Sequence, residues 1–356
     1  MRRAVALGAG LVAFAASSPG HADTPPNLWE LARDPVARAR WDLHVRVERL
    51  MPPYAEANPD AELRLEAARG LLEDAGIDGS RGQDVRLRLD LGTVYERLAR
   101  SQHRADLHAK AADILAPAID EAPDGDGATS ALSELVYAYV RLGRPREELA
   151  AWRRYIAQLV DDRARIVPLI NMGEAEMRLG LLDDALATFR QAIRLCEELS
   201  GSTPVNSTYA LALWDLAVAQ DRASDSGTAV KTAARARAWT WSEVVTYGQR
   251  MTTRTVSGWD VIRDDEDVFF VPEWERDWYL ALGYAAEARA SADPREAARS
   301  WGEAERHWDT YVTRSAATDG HDPWLAIARV RRDRARAARE AAERLAARSR
   351  VPAGLP

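Results

Sequence analysis

The chain has 356 residues, 47% of them hydrophobic and 29% charged, and a formal net charge of −7 at pH 7. That much apolar surface supports a folded core and excludes wholesale disorder, while the acidic balance excludes general nucleic-acid binding, which needs a basic surface to neutralise phosphates. A single cysteine, Cys196, excludes an intramolecular disulfide and is expected to be a small buried hydrophobe.

The first residues, MRRAVALGAGLVAFAASSPGHADT, carry Arg2 and Arg3, an apolar run from Ala4 to Ala16, and small residues at Gly20 and Ala22. This is the order of a secretory signal peptide over residues 1–22, and the run is shorter than the ~20 apolar residues of a membrane span. Cleavage after Ala22 is expected to leave a mature protein that begins at Asp23 and retains no integral membrane segment. The expected location is the periplasm or the exterior of the cell. No cysteine flanks the cut, so no lipid anchor is expected.

Residues 23–84 read as N-terminal capping helices. Asp34-Pro35 and Asn58-Pro59 start them, because the first side chain accepts free backbone N–H groups and the proline needs no N–H donor of its own partnered. Pro52-Pro53 ends the first helix, and the second is expected to end near Gly76.

Residues 85–243 carry a repeated pattern. The unit 85–118 has Leu91-Gly92, Tyr95, Ala105, Ala109, Ala112 and Pro117; the unit 129–162 has Tyr139, Leu142-Gly143, Trp152 and Tyr155. The unit 166–199, IVPLINMGEAEMRLGLLDDALATFRQAIRLCEEL, is the clearest. Leu169, Met172, Gly173, Glu176 and Leu179 stand at helical spacing, Gly180 supplies a positive φ for a helix end, and Ala185, Phe189 and Ala192 line one face of a second helix. The unit 210–243 repeats the theme with Leu213, Leu216, Ala217, Ala229, Ala233 and Ala236. Asp124 and Asp126 in the DGDG turn do not make a calcium loop, because Leu135 stands where a closing carboxylate is required.

These units resemble the tetratricopeptide repeat, a helix-turn-helix of about 34 residues with Leu-Gly, Tyr, Ala, Phe and Ala at fixed offsets. Here Met172-Gly173 stands for the Leu-Gly, Glu176 replaces the Tyr, and Glu197 replaces the closing Pro. The resemblance implies an all-α, right-handed solenoid of about five helix pairs. It also implies a protein or peptide ligand against the concave surface of the first helices, and its thirteenth repeat position falls on Arg97, Arg141, Arg178 and Arg222. An arginine ladder of that kind grips acidic side chains or a terminal carboxylate; alternatively it is a solvated face. The Lys and Asn residues of the family's carboxyl-terminal clamp are not matched.

The period breaks over residues 244–271, an expected irregular insertion with aromatic and β-branched residues and an acidic knot from Asp264 to Asp267. It is expected to fold back on the later repeats instead of looping free. A further repeat-like unit follows over 272–321, with Leu282-Gly283, Ala297, Trp301 and Ala304, and Asp293 with Glu296 is expected to form a reciprocal cap. Residues 322–356 form an Arg-rich last helix and tail, expected as a solubilising end. Eight of the 12 tryptophans fall at or after residue 239. Trp274, Trp278 and Trp301 are candidates for a peptide or glycan groove, the alternative being packing of the insertion.

No motif for a nucleophile, phosphate loop or metal is present, and His103 and His108 are five apart, which places them on different helix faces. The chain is therefore expected to be no enzyme and to need no cofactor and no metal. Its expected role is an exported scaffold for protein or peptide binding; the alternative is an accessory protein that binds or processes cell-envelope glycan.

Overall fold

The computed structural model describes residues 28–52, 59–125, 127–199, 203–247, 250–264, 268, 270, 272–318 and 322–349. The expected signal peptide lies outside them. Among the described residues the fold is all-α and solenoid-like, a succession of helix pairs with one two-stranded ribbon. The chain divides into two compact units, one reaching Pro168 and the other beginning at Leu169.

The first unit holds α1 (Leu28–Arg33), α2 (Pro35–Leu50), α3 (Pro59–Asp74), α4 (Val85–Gln102), α5 (Ala105–Glu121), α6 (Ala128–Arg141), α7 (Pro145–Gln158) and the start of α8 (Asp162–Arg178). Asp34 caps α2 by accepting the N–H groups of Val36 at 2.8 Å and Ala37 at 3.1 Å, with Pro35 in the first helical turn. Asp84 does the same for α4. Val47 of α2 and Leu65, Ala68 and Leu72 of α3 share one core with Leu91, Val94, Leu98 and Ile114 of the α4–α5 pair, so the first helices cover the apolar side that pair would otherwise expose to water. The α6–α7 pair packs next to it.

The second unit holds the rest of α8, then α9 (Leu182–Glu198), α10 (Thr203–Arg222), α11 (Ser226–Ala238), β1 (Thr240–Tyr247), β2 (Arg250–Ser257), α12 (Gly258–Arg263), α13 (Glu275–Ala290), α14 (Pro294–Ala316) and α15 (Leu325–Arg348). Cys196 is buried on α9, and burial pushes its thiol up to about 12. α15 buries Ala328, Ala335 and Ala342, spaced by seven, where it packs on α14; Arg336 and Arg339 grip Glu305 of α14 at 2.7 and 2.9 Å.

One left-handed residue turns each of the first four repeat pairs: His103 at φ 53°, Gly143 at 63°, Gly180 at 76° and Ser224 at 69°. Two of these are not glycine and carry the strain of a side chain in that region. Counting from this residue gives the register. Gly173 stands seven before and Ala185 five after, and a Cβ on Gly173 would lie 2.5 Å from Phe189 Cε1, so only glycine admits the ring. In the α4–α5 pair the same two places belong to Glu96 and His108. The sequence alignment on Leu91-Gly92 is therefore displaced by four residues: Gly92 lies about one helical turn farther from the bend, on the same face, which is why its spacing imitates the repeat.

The insertion expected to be irregular contains the end of β1, all of β2 and α12. β1 and β2 pair antiparallel, from Thr240 opposite Ser257 to Tyr247 opposite Arg250. The run of Val244, Val245 and Thr246 against Thr252, Thr253 and Thr255 favours a pleated strand over a loop. Trp241, Val256 and Val261 seat the base of the ribbon on Ala210 of α10. α12 opens with a reciprocal cap between Ser257 and Asp260 and presents Trp259 to α13, where a Cβ on Gly283 would meet the indole at 2.2 Å. The reciprocal cap expected at α14 forms by half: Asp293 accepts from Arg295 N at 2.9 Å, but its own N–H goes to Ser291 Oγ at 3.2 Å instead of Glu296. Asp264 is exposed and bound to Arg263, while the rest of the acidic knot, residues 265–267, lies outside the described residues.

Candidate functional site

In the first unit the first helices of two successive pairs, α4 and α6, bring together a cluster of charge. Glu134 of α6 is fully buried and holds two guanidiniums of α4: Arg97 Nε at 2.9 Å on one carboxylate oxygen and Arg100 on the other. Two cations on one desolvated acid is a strong, directional arrangement. Arg97 is fixed further by Pro52 O at 3.1 Å. Arg100 also lies 3.6 Å from Glu96 Oε1, and its guanidinium covers the ring of Tyr137 at 4.8 Å.

Glu96 is buried too and meets His108 Nδ1 of α5 at 2.8 Å. Burial raises its pKa, opposed by the bond to His108 and the charge of Arg100. Burial likewise raises the phenols of Tyr137 and of Tyr155 on α7, both with Glu134 as a secondary cause. Arg141, at the end of α6, keeps more than a third of its surface in solvent. The protein around its guanidinium still desolvates it enough to lower its pKa, Arg100 adds repulsion, and Glu96 opposes both.

The structure thus separates the residues of the expected ladder. Arg141, Arg178 and Arg222 each stand two residues before their left-handed turn residue, but Arg97 stands six before His103, so it occupies a different rung. Arg178 is half-buried, 3.9 Å from Glu174 of its own helix. Arg222 is 3% exposed and ion-paired to Glu275, with its guanidinium between the rings of Trp278 at 4.6 Å and Trp324 at 5.1 Å. As a ligand-binding residue it is corrected by this burial: its charge serves the interior of the second unit.

Trp278 needs the same correction. It is fully buried, donates to Asp221 Oδ2 at 3.2 Å and meets Trp308 and Tyr311 edge to face at 4.9 and 5.0 Å. Asp221 also takes Arg331 of α15 at 2.8 Å. Asp215, six residues back on α10 and buried, accepts from Tyr279 at 2.7 Å, and burial pushes its pKa up to about 7. Trp274 and Trp301 are only half-buried, the latter under Arg289 at 6.0 Å. The tryptophans of the last third thus divide between core and rim, and the sequence signal for them, clustering, marks packing.

Arg100, Glu134 and Tyr137 escaped the sequence reading. Their signal is an acid on the first helix of one repeat facing arginines on the first helix of the one before, and it appears only once the register is known. Among the described residues no group of His, Cys, Asp and Glu is arranged to hold a metal, and no helix is long and apolar enough to cross a membrane. With the buried His108–Glu96 pair closed off from solvent, the surface of α4 and α6 offers guanidinium and phenol groups in fixed positions, a chemistry that binds carboxylates.

No protein-family model matches the chain, and no curated protein matches it in sequence. Solved structures do match. One is a signal-transduction ATPase with numerous domains, carrying a tetratricopeptide repeat sensor, from Pyrococcus horikoshii: 14% identity, TM-score 0.45, over 86% of this chain and 45% of that one. The present chain therefore spans less than half the length of that protein.

Proposed function

We propose that this chain is an exported, non-catalytic scaffold that binds a polypeptide partner, and that the α4–α6 surface of the first unit receives a carboxylate-bearing segment of it. The observation that carries the reading is the clamping of Arg97 and Arg100 by the single buried carboxylate of Glu134, with Arg141 beyond them. Side chains held in advance lose less rotamer freedom when a ligand arrives, which is how a modest contact area becomes a specific site. Half-buried aromatic and arginine groups are also the residue types that dominate polypeptide recognition. Export rests on the order of Arg2, Arg3, the apolar run and Ala22.

Photocrosslinking in the intact cell tests the site. A photoreactive residue at Tyr137 should yield a polypeptide adduct that Arg141→Glu removes, while the same probe at Asp113 on α5 should not. Equal labelling at the two positions, or an adduct indifferent to Arg141→Glu, sinks the proposal. Export is tested separately by sequencing the N-terminus of the cellular protein: Asp23 is expected, and retention of Met1 overturns it.

A further inference from the structure

We infer that the β1–β2 ribbon of the second unit is a docking edge to which a partner polypeptide adds an extended, acidic third strand along β2. Among the described side chains the ribbon is anchored at its base, where Trp241 and Val256 are buried on α10. Beyond them Met251, Thr252, Thr253, Arg254 and Thr255 are all exposed, so both faces of β2 stand in solvent, with Met251 73% exposed. Two-stranded ribbons with no packed face are marginal in water. No third strand pairs with this one among the described residues.

Proteins normally blunt an edge of this length with proline, lysine, a bulge or an early end. β2 is neither shortened, bulged nor broken by proline: its eight residues, RMTTRTVS, pair in unbroken register, and its charged side chains are two arginines, Arg250 and Arg254. Its composition of threonine, valine and methionine is what an added strand requires.

Charge selects the occupant. β2 carries Arg250 and Arg254 and no acid, whereas β1 carries Glu243, which Arg254 meets across the ribbon at 3.0 Å. A second copy pairing β2 with β2 about a two-fold axis brings arginines of both chains onto one short edge, and like charges across strands are destabilising. Pairing β1 of one copy with β2 of the next satisfies charge, but that contact is head-to-tail and builds rings or open filaments instead of a two-fold pair. An extended segment with alternating carboxylates has neither defect. This surface is separate from the α4–α6 cluster, and its test does not depend on that site.

The full mature chain is titrated into labelled peptides of about ten residues, a strand length: alternating Val and Glu, alternating Val and Lys, and the Val–Glu peptide N-methylated at alternate residues. The Val–Glu peptide should bind at least about tenfold tighter than Val–Lys, and N-methylation should abolish binding, because main-chain hydrogen bonds supply the affinity. The exchange Glu243→Arg with Arg254→Glu leaves β2 with Arg250 and one glutamate, no net charge, and should erase the preference for Val–Glu. Met251→Glu, at an exposed site far from the anchored base, should weaken Val–Glu binding without moving the melting curve. Several results overturn the inference: no binding, binding that survives N-methylation, a wild-type preference for Val–Lys, a preference unmoved by the exchange, or self-association that Met251→Glu removes.

Discussion

The α8–α9 and α4–α5 pairs solve one packing problem in opposite ways. At the places seven before and five after the left-handed turn residue, α8–α9 has Gly173 and Ala185, and the space they leave is filled by Phe189, which is fully buried. α4–α5 has Glu96 and His108 there, joined at 2.8 Å out of water. The apolar solution depends on shape alone and tolerates no added atom. The polar one needs both partners present, because each left alone is a buried group without its bond. A repeat position thus prescribes a distance between helices, and chemistry as different as a methyl and an imidazole meets it.

The largest effect expected from breaking this comparison is on the apolar side. Phe189→Ala should empty the space beside Gly173 and cost about 3–5 kcal/mol, read as a lower midpoint in denaturant unfolding; a midpoint shift equivalent to less than about 1 kcal/mol would show that the ring does not hold the pair. On the polar side, His108→Ala strands the Glu96 carboxylate and should cost about 3 kcal/mol. Adding Glu96→Leu should recover at least half of that loss, so the two changes together are milder than the first alone. Strict additivity in this double-mutant cycle would mean that the pair is not coupled.

A third test sharpens the distinction by titration. Asp215 on α10 is a buried acid whose main bond comes from the neutral Tyr279 hydroxyl, and burial places its pKa at about 7. The folded chain therefore keeps a proton that the unfolded chain releases near pH 4, and this contribution is full below that value and lost as pH rises through about 7. One proton of difference between the folded and unfolded chains costs on the order of 1 kcal/mol per pH unit within that window. Asp215→Asn should flatten that slope in melting curves taken across the range. An unchanged slope would assign the pH dependence elsewhere.

The smallest effect separates fold from function. Arg141→Ala, on a side chain exposed at the end of α6, should change stability by no more than about 0.5 kcal/mol by thermal melting. A much larger loss would make Arg141 a structural tie of the cluster and remove it from the proposed binding surface.

Much of the helical plan was legible because its causes are local. Asp34 with Pro35, and Gly180 at its turn, act through neighbours a few residues away. The Gly173, Ala185 and Phe189 spacing was readable for the same reason, being a pattern along one short hairpin. The ribbon was missed because β-branched residues beside tryptophans read equally well as a packed loop, and pairing between Trp241 and Val256 is not a local property. The site was only partly legible. Arg141 stood on the expected rung, but Gly92 offered a false register one helical turn away from the true one, and Arg97 moved with it.

By itself the sequence determined that the chain is a run of helix pairs, where most of them turn, and which small residues meet a large one. Caps, positive φ and helical periodicity are written within a few residues of where they act. Only the tertiary structure decided which charges face a ligand and which face the core. Arg222 and Arg141 hold the same repeat position, yet one is buried between two indoles with Glu275 and the other keeps an exposed side chain at the end of α6. The difference comes from residues 53 and more positions away in sequence, and the free energy of a charge is set by what surrounds it after folding.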